Sequence, residues 1–212
     1  MIDSITQYFK DLSPSQREQF EEMMRLYPEW NAKINVISRK DIDNLEIHHI
    51  LHSLAIAKFI KFMPETNILD LGCGGGFPSI PLAVIFRDCN FLLVDRVAKK
   101  LRVASEIAKT LGLENVTVQH GDISECKTKV EFIVSRAVMP LPELIKLSRK
   151  NISAKQFNSL PNGLITLKGG QLDAELKNHR KQTLIEPVSS FFPEYTHFQE
   201  KYVTYTPIAP QK

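Results

Sequence analysis

A loop of spaced glycines between an apolar segment and a proline constrains the fold of this chain more than any other feature. The loop reads Asp70-Leu71-Gly72-Cys73-Gly74-Gly75-Gly76-Phe77-Pro78. Residues 67–71, which lead into it, form a short and nearly continuous apolar run, and a helical pattern follows over residues 78–86. The segment therefore predicts a strand, a glycine turn and a helix, which is the unit that places ligands at the edge of a doubly wound sheet.

The same alternation of apolar strands and helices continues toward the C-terminus. Further strands are predicted over residues 91–95, 115–119, 131–135 and 164–168, and further helices over residues 98–111 and 141–152. Continuous apolar strands separated by helices are typical of a parallel sheet that is covered on both faces. The tail, with Phe191-Phe192 and then residues 202–205, is predicted to close the sheet with an antiparallel hairpin. The predicted fold class is α/β, with a mostly parallel, doubly wound, Rossmann-like sheet and an antiparallel C-terminal strand.

Residues 1–64 have helical patterns and are predicted to form an N-terminal extension to a second domain over residues 65–212. Ser13-Pro14-Ser15-Gln16 has the residues of a capping box with a proline in the first turn. An apolar stripe at helical spacing follows, made of Phe20, Met23, Met24 and Tyr27. Pro28 is expected to interrupt or restart that helix because proline lacks a backbone N–H. A second helix is predicted over about residues 42–62.

Composition excludes several classes of protein. With 43% hydrophobic and 24% charged residues, the chain matches globular proteins rather than disordered, collagen-like or disulfide-rich ones. Cys73, Cys89 and Cys126 form no closely spaced pair, as expected for a reduced protein without a structural zinc site. The N-terminus lacks the pattern of a secretory signal, and no run of about 18 apolar residues occurs. We therefore expect a cytoplasmic protein with no membrane partner and no bound metal.

Positive charge is concentrated in one part of the chain, although the net charge is only +3. Between Leu144 and Lys181, eight basic side chains are opposed only by Asp173 and Glu175. They are Lys146, Arg149, Lys150, Lys155, Lys168, Lys177, Arg180 and Lys181. A local excess of this kind favours a polyanionic partner, and a solvated basic face is an equally good explanation.

The details of the glycine loop discriminate between ligand classes. A phosphate-binding loop of the Walker type needs Gly-Lys-Ser/Thr, and Gly76 is followed by Phe77-Pro78, so that class is excluded. The spacing of Gly72, Gly74 and Gly76 also departs from the dinucleotide fingerprint G-x-G-x-x-G. A carboxylate at Asp70 suits a ligand with an ammonium group better than one with a pyrophosphate.

Asp95 adds the second half of this site, because it ends the next predicted strand, 19 residues after Gly76. An acid in this position accepts hydrogen bonds from ribose hydroxyls. S-adenosylmethionine has a ribose, a sulfonium and an α-ammonium but no phosphate, and it is the favoured ligand over a turn kept for packing alone. Gly121-Asp122-Ile123-Ser124 follows the third strand, where Ile123 and Ser124 either line the adenine side of the crevice or form a plain turn.

The segment after the fourth strand bears on the methyl acceptor. Residues 135–140 lack the Asn/Asp-Pro-Pro-aromatic motif of enzymes that methylate exocyclic amines, and no nearby cysteine supplies the nucleophile that pyrimidine C5 requires. A purine ring nitrogen already has a free lone pair, so its methylation depends mainly on alignment. Guanine N7 is such an atom, and the adjacent O6 accepts hydrogen bonds from Arg or Lys. Arg136 and Lys168, at strand ends, are the candidate catalytic residues, and salt bridges at strand ends remain the alternative.

Histidines and aromatics of the N-terminal segment have simpler explanations. His48 and His52 have a spacing that can chelate a metal on a helix, but no third ligand is evident, so surface or interface histidines are favoured. Tyr8, Phe9 and Tyr27, together with Trp30, are able to stack on bases. Their helical spacing favours core contacts first.

Longer motifs extend over nearly the whole chain. They are Trp30-Asn31-Ala32-Lys33-Ile34-Asn35-Val36, His49-Ile50-Leu51-His52-Ser53-Leu54, the glycine loop with Ser79-Ile80-Pro81-Leu82-Ala83, Leu93-Val94-Asp95 with Lys99-Lys100, Ser135-Arg136-Ala137 and Leu167-Lys168-Gly169. The run Gly-Phe-Pro-x-Ile-Pro-Leu from Gly76 to Leu82 is more specific than the glycines themselves. In these motifs the chain resembles the ribosomal small-subunit methyltransferase G family, also called glucose-inhibited division protein B.

The resemblance implies transfer of a methyl group from S-adenosylmethionine to N7 of a guanine in the 530 loop of 16S rRNA. It places family cofactor positions on Gly72, Phe77, the pair Ile123-Ser124, and Arg136. The family often has Asp where His52 stands, which leaves the role of the N-terminal helix open. It often has Ala-Glu where Ile123-Ser124 stand, a change that is harmless if backbone amides hold the adenine.

Three other functions compete with this interpretation. A small-molecule methyltransferase is disfavoured by the basic excess, and a non-catalytic ribosome-binding protein is disfavoured by the intact Asp95, Arg136 and Lys168. An NAD oxidoreductase is disfavoured by the glycine spacing. The leading hypothesis is a monomeric rRNA guanine-N7 methyltransferase whose partner is 16S rRNA or the 30S subunit.

Overall fold

Seven strands form one sheet in the computed structural model, which describes residues 2–136 and 139–211. They are β1 (Asn67–Leu71), β2 (Asn90–Asp95), β3 (Val116–His120), β4 (Phe132–Arg136), β5 (Gly163–Gly169), β6 (Leu184–Pro187) and β7 (Lys201–Pro207). Their order across the sheet is β3-β2-β1-β4-β5-β7-β6. Strands β1 to β5 pair in parallel, and β7 pairs antiparallel with both β5 and β6. The predicted fold class is confirmed.

Eight α-helices occur among the described residues. They are α1 (Asp3–Tyr8), α2 (Pro14–Lys33), α3 (His52–Phe59), α4 (Ser79–Ile85), α5 (Ala98–Thr110), α6 (Leu141–Ser148), α7 (Asp173–Leu176) and α8 (Val188–Phe191). A 3-10 turn at Ile42–Asn44 and a π-helix at Leu45–Leu51 precede α3. The predicted second helix is therefore present, but its first half is wound differently. In the described part of the chain, no helix combines the length and apolar character needed to cross a membrane.

Two apolar clusters sandwich the sheet. Ile68 belongs to one and Leu69 to the other, as expected because successive strand residues face opposite sides. The larger cluster contains Phe20 and Tyr27 of α2 together with Phe77 of the glycine loop. Helix α2 thus packs on α4 and α5, whereas α3 contacts β5 and β7 of the sheet. The division into units 1–64 and 65–212 stays a prediction.

The direction of the chain changes beside β1. From β1 the sheet grows outward through β2 and β3, and the chain then returns to place β4 on the other side of β1. Such a switch point opens a crevice beyond the carboxyl ends of the strands. The loops that follow β1, β2 and β4 therefore meet at one edge, which we call the carboxyl edge.

The prediction that Pro28 interrupts or restarts a helix is wrong. Pro28 lies inside α2, which begins at the predicted capping box, with both Ser13 and Gln16 hydrogen bonds formed. Proline in a helix interior costs roughly 3 kcal/mol. Pro28 itself is exposed, whereas Phe20, Met23 and Tyr27 of the same helix are completely buried. Burial of large apolar side chains stabilises by about 1.5–3 kcal/mol each and so outweighs the lost hydrogen bond.

The predicted C-terminal hairpin is correct for one strand and wrong for the other. Residues 202–205 lie in β7, but Phe191-Phe192 lies at the end of α8, and β6 is the partner strand. Phe192 is completely buried, with its ring 4.8 Å from that of Tyr8 and 5.5 Å from that of Phe198. These aromatics fill the core beside the sheet and do not join its edge.

Candidate functional site

The glycine loop leaves β1 at the carboxyl edge and turns back on itself. Gly72 donates its N–H to the Val94 carbonyl over 2.9 Å, and Gly76 donates to the Cys73 carbonyl over 2.8 Å. Gly74 and Gly76 both have positive φ, at 55° and 105°, a backbone region that favours glycine. A Cβ on Gly74 would meet no atom within 4 Å, whereas one on Gly76 would lie 2.5 Å from Ile80 Cγ1. Packing against Ile80 therefore leaves no room for a side chain at Gly76, whereas the space beside Gly74 is open.

Asp95 ends β2 and joins the loops that follow β1 and β2. Its Oδ2 accepts the Gly74 N–H over 2.8 Å, and its Oδ1 accepts the Val97 N–H over 2.7 Å. A carboxylate has about four acceptor sites, so two remain for a ligand. Asp95 was predicted to bind ribose hydroxyls, and in the structure it also holds the backbone of Gly74 through a hydrogen bond.

A cavity of about 260 Å³ lies between these loops and the loop that follows β3. Its lining residues are Leu71, Gly72, Val94, Asp95, Arg96, Val97, Gly121, Asp122, Ile123, Met139 and Leu147. The walls are mostly apolar, with the Asp95 carboxylate at one end, which is the composition of a site for a small ligand with hydroxyl groups. Of the residues predicted from sequence, Gly72, Asp95 and Ile123 meet in this cavity.

Ile123 and Ser124 differ in burial and in whether they line the cavity. The Ile123 side chain is 6% exposed and lines the cavity, whereas Ser124 is exposed. The Ser124 N–H already donates to Asp122 Oδ1 over 2.8 Å, in a short 3-10 turn over Ile123–Glu125. The apolar side chain of Ile123, rather than the Ser124 amide, faces the cavity.

Asp70 is completely buried just before the glycine loop. Its Oδ2 accepts the Ser79 N–H over 3.1 Å, whereas Oδ1 is buried with no partner among the described residues. Burial raises the pKa of Asp70 to about 7, against the hydrogen bond from Ser79 and the positive charge of Arg136. An unpartnered carboxylate oxygen inside a protein is costly, so this atom is suited to a donor from a ligand.

Arg136 ends β4 and lies over the glycine loop. Its guanidinium carbon is 4.8 Å from the centre of the Phe77 ring, a cation–π contact, and its Nη2 is 3.1 Å from Nδ1 of His49. Burial lowers the pKa of Arg136 to about 10, so the side chain stays charged at neutral pH. The predicted residues Phe77 and Arg136 are thus brought together.

Two residues near Arg136 were not predicted from the sequence, His49 and Asp41. His49 Nε2 lies 2.7 Å from Asp41 Oδ2, and His48 Nδ1 lies 2.6 Å from Asp41 Oδ1. Burial and the charge of Arg136 lower the pKa of His49 to about 4. A signal for His49 is present in the sequence, because this residue opens one of the family motifs.

Of the two histidines predicted to lie at the surface or an interface, His48 is half-buried and His52 is buried. His52 is 7% exposed, and its Nε2 is buried without a partner among the described residues. Burial lowers the pKa of His52 well below the usual range, so the ring is neutral. Within residues 2–136 and 139–211, no three His, Cys, Asp or Glu side chains are grouped so as to hold a metal ion.

Lys168 lies at the end of β5 and is already bonded within the protein. Its Nζ donates to the Met139 carbonyl over 2.5 Å and lies 2.6 Å from Glu175 Oε1. Glu175 Oε1 also accepts the N–H of Leu141, the first residue of α6. Lys168 and Glu175 therefore connect β5 and α7 to the segment that follows β4, part of which, Ala137-Val138, lies outside the described residues.

The basic side chains of residues 144–181 do not form a single patch. Lys150 donates to the carbonyls of Ser124 and Cys126, and Lys168 is paired as described. Arg149 and Lys155 are exposed before the start of β5 and so lie toward the opposite edge of the sheet. The exposed Lys177, Arg180 and Lys181 lie in the segment that crosses from the carboxyl end of β5 back to the start of β6.

A larger cavity of about 660 Å³ lies near the other edge of the sheet, between Phe9, Phe62 and Phe86. None of the residues predicted to bind cofactor or acceptor lines it.

Comparisons with known proteins agree with this geometry. The family model for rRNA small subunit methyltransferase G matches residues 16–202. The chain is similar to "Ribosomal RNA small subunit methyltransferase G" of Bacteroides thetaiotaomicron, with 54% identity over 98% of this chain and 100% of the relative. It is equally similar to the protein of that name in Porphyromonas gingivalis, with 54% identity over 96% of this chain and 92% of the relative. Among solved structures, a SAM-dependent methyltransferase from Aquifex aeolicus has the same fold, with a TM-score of 0.55, 18% identity, and 82% of this chain and 100% of that chain covered.

Proposed function

The chain belongs to the rRNA small subunit methyltransferase G family, and from that premise we propose that it transfers a methyl group from S-adenosylmethionine to N7 of a guanine in the 530 loop of 16S rRNA. The observation that carries the proposal is the cavity at the switch point, which Gly72 and Asp95 line, with Asp95 also accepting the Gly74 N–H. The glycine loop beside this cavity lacks the Gly-Lys-Ser/Thr sequence of a Walker-type phosphate-binding loop. The proposal extends to a monomeric, cytoplasmic enzyme.

The residues present fit S-adenosylmethionine, whose sulfonium supplies an activated methyl group when the cofactor is bound. Asp95 would accept hydrogen bonds from the ribose hydroxyls with its remaining acceptor sites. Ile123 would supply an apolar wall against the adenine, and Gly72 and Gly74 would allow close approach of the backbone. Asp70 Oδ1, which is buried and has no donor in the described part of the chain, would accept from the α-ammonium.

On the acceptor side, we assign Arg136 and Lys168 as the candidate catalytic residues. Methylation of guanine N7 uses a lone pair that is already free, so the enzyme gains most by alignment and exclusion of water. Arg136 lies against Phe77, beside the cofactor loop, and a guanidinium is a good donor to O6 of guanine. For Lys168 to touch a base, its ammonium would have to leave Glu175.

The rRNA partner would meet the carboxyl edge of the sheet. Lys177, Arg180 and Lys181 are exposed in the segment that leaves β5 at this edge and crosses back to the start of β6, which runs parallel to β5. Lysines and arginines in such a position bind phosphates and make affinity depend steeply on salt. We therefore propose that these three residues contact 16S rRNA, within the 30S subunit or as free RNA.

A labelling experiment tests the reaction. Purified protein is incubated with tritiated S-adenosylmethionine and 30S subunits from a strain that lacks this gene, and the modified base is mapped. We expect label at N7 of one guanine in the 530 loop, and its absence from an Asp95→Ala variant. Saturable cofactor binding without label in 16S rRNA would contradict the proposed substrate. Absence of cofactor binding would contradict the proposed cofactor.

Binding measurements test the interface separately. Replacing Lys177, Arg180 and Lys181 with alanine should reduce the slope of log affinity against log salt by about 2 to 3, at roughly 0.7 to 0.9 per lost phosphate contact. The matched control is Arg149→Ala with Lys155→Ala, which removes exposed charge from the segment between α6 and β5. An equal loss in both variants would contradict the proposed surface.

A further inference from the structure

A chain of three polar side chains runs from the N-terminal segment to the base of the glycine loop. Asp41 precedes the π-helix Leu45–Leu51, His49 lies within that π-helix, and Arg136 ends β4. The distances are 2.7 Å from Asp41 Oδ2 to His49 Nε2 and 3.1 Å from His49 Nδ1 to Arg136 Nη2. The connection spans 87 residues of sequence between His49 and Arg136.

The donors and acceptors of this chain have one consistent arrangement. A guanidinium has only donors, so His49 Nδ1 must accept from Arg136 Nη2. A neutral imidazole with a free Nδ1 has its proton on Nε2, which then donates to Asp41 Oδ2. Asp41 thus determines the tautomer of His49, and the tautomer determines whether Arg136 has an acceptor.

Burial and charge support this arrangement. Burial lowers the pKa of His49 to about 4, helped by the adjacent Arg136 charge and opposed by Asp41. Burial raises the pKa of Asp41, but hydrogen bonds from His48 and His49 outweigh this, so its pKa is lowered and it is ionised at neutral pH. A neutral His49 between an anion and a cation is therefore the state near pH 7.

The guanidinium of Arg136 is restrained from two sides. Its plane lies over the Phe77 ring, with 4.8 Å from the guanidinium carbon to the ring centre. One Nη is directed to His49, and the other N–H groups of the same fork have no hydrogen-bond acceptor among the described residues, so they are able to bind a ligand. Flexible arginine side chains bind more tightly when their orientation is fixed in advance.

We propose that His49 and Asp41 are positioning residues that fix the orientation of the Arg136 guanidinium against Phe77 for methyl transfer. The catalytic part of this inference rests on the function proposed above. The structural part, which concerns the tautomer of His49 and the restraint on Arg136, does not. Neither positioning residue is required to touch the cofactor or the methyl acceptor.

His48 is a matched control, because it shares the Asp41 carboxylate without a contact to Arg136. Its Nδ1 lies 2.6 Å from Asp41 Oδ1, and its ring stacks on that of His197 with 3.5 Å between centres. Loss of His48 therefore removes a neighbouring hydrogen bond of the same carboxylate. It leaves the connection from Asp41 to Arg136 in place.

Nuclear magnetic resonance of the free protein tests the structural part. We expect the His49 ring of the wild type to be neutral at pH 7, with its proton on Nε2, and the Arg136 guanidinium protons to exchange slowly. Exchange should become faster in His49→Ala and stay slow in His48→Ala. Asp41→Ala removes the acceptor of the Nε2–H, so we expect faster exchange of the Arg136 guanidinium protons, as in His49→Ala. A proton on Nδ1 in the wild type, or equal exchange in all variants, would overturn the inference.

Kinetics test the catalytic part. We expect His49→Ala to lower kcat by about 30- to 100-fold, the size of effect that a misplaced reacting group produces, with KM for S-adenosylmethionine changed less than about threefold. His49→Gln should recover part of kcat, because its amide offers both an acceptor and a donor. His48→Ala should stay within about threefold of the wild type. Equal losses in His49→Ala and His48→Ala would overturn the positioning role.

The two tests separate this inference from the proposed function. If the wild type fails to label 16S rRNA while the resonance results are as expected, the substrate assignment fails and the restraint on Arg136 stands. If the wild type labels 16S rRNA and His49→Ala is as active as the wild type, the function stands and the positioning role is wrong.

Discussion

Tyr27 of the N-terminal helix α2 donates a hydrogen bond from its hydroxyl to the carbonyl oxygen of Gly75 over 2.9 Å. The Tyr27 side chain is completely buried, and its ring centre lies 4.5 Å from that of Phe77. A side chain 48 residues away in sequence therefore fixes both the backbone and an aromatic residue of the glycine loop. Helix α2 thus contacts the glycine loop directly, through both a hydrogen bond and an aromatic contact.

Tyr27→Phe should destabilise the protein while leaving the shape of the core almost unchanged. The substitution keeps the ring and leaves the buried Gly75 carbonyl without its donor, which costs about 1–3 kcal/mol. We expect this loss in the free energy of unfolding measured with urea. We also expect weaker binding of S-adenosylhomocysteine by calorimetry, because Gly75 lies next to the open space beside Gly74.

Tyr8→Phe is the matched control for this prediction. The Tyr8 hydroxyl is buried too, but it has no hydrogen-bond partner among the described residues. Removing it should leave the free energy of unfolding unchanged or raise it. If both variants lost the same stability, the Tyr27 hydrogen bond would not be the cause.

Gly74→Ala and Gly76→Ala should have opposite phenotypes. At Gly74 a methyl group meets no atom within 4 Å, so the cost is that of a positive φ, about 1–2 kcal/mol. That methyl group enters the face proposed for the cofactor, and we expect at least tenfold weaker binding of S-adenosylhomocysteine. At Gly76 the added Cβ would lie 2.5 Å from Ile80 Cγ1, and we expect a loss of about 3 kcal/mol in unfolding free energy. Thermal melting measures the stability of both variants, and calorimetry measures their ligand affinity. A larger loss of stability in Gly74→Ala, or a larger loss of affinity in Gly76→Ala, would contradict these assignments.

The sheet was predictable because its residues carry strong local signals. The run over Asn67–Leu71 was predicted with the bounds that the strand has, and the other parallel strands were predicted to within one residue at either end. Periodicity of apolar residues reports burial, and burial in a parallel sheet is nearly continuous. The capping box at Ser13 was likewise visible, because its hydrogen bonds connect residues three positions apart.

What the sequence could not provide were contacts between distant segments. Pro28 lies inside a helix despite its low helix propensity, because the residues around it bury large side chains. The contacts of Tyr27 with Gly75 and of His49 with Arg136 depend on how the N-terminal helices pack on the loop, which no local pattern records. The pairing of Lys168 with Glu175 was invisible for the same reason.

Lys168 and Glu175 should give the same phenotype when either is removed. Each is mostly buried, with side-chain exposures of 9% and 22%, and together they bind the Met139 carbonyl and the Leu141 N–H. We expect Lys168→Ala and Glu175→Ala each to lower the free energy of unfolding by about 1–3 kcal/mol, since each leaves a partly buried charge unpaired. Methyl transfer should fall in both, because the segment between β4 and α6 loses its anchor. A loss of kcat in Lys168→Ala alone, at unchanged stability, would instead indicate direct contact with the acceptor.

Asp70 should make stability fall as pH rises toward neutrality. Burial raises its pKa from the ordinary value of 3.8 to about 7, so the folded protein binds this proton more tightly than the unfolded chain. The resulting stabilisation is complete below about pH 3.8 and is lost as the pH rises through about 7. Between pH 5 and pH 7 this amounts to about 2–3 kcal/mol. His49 and His197, whose pKa values burial lowers to about 4, act in the opposite direction below about pH 6.5.

The comparison of wild type with Asp70→Asn isolates this effect, because the histidines are the same in both proteins. Urea unfolding at pH 5 and pH 8 should show a larger loss of stability in the wild type than in the variant. A ligand ammonium at Asp70 Oδ1 would favour the ionised carboxylate, so the affinity of the wild type for S-adenosylhomocysteine should rise between pH 6 and pH 8, by about tenfold. The affinity of Asp70→Asn should be lower and independent of pH in this range. An identical pH dependence in both proteins would separate Asp70 from the cofactor site and leave its buried oxygen as a feature of the fold alone.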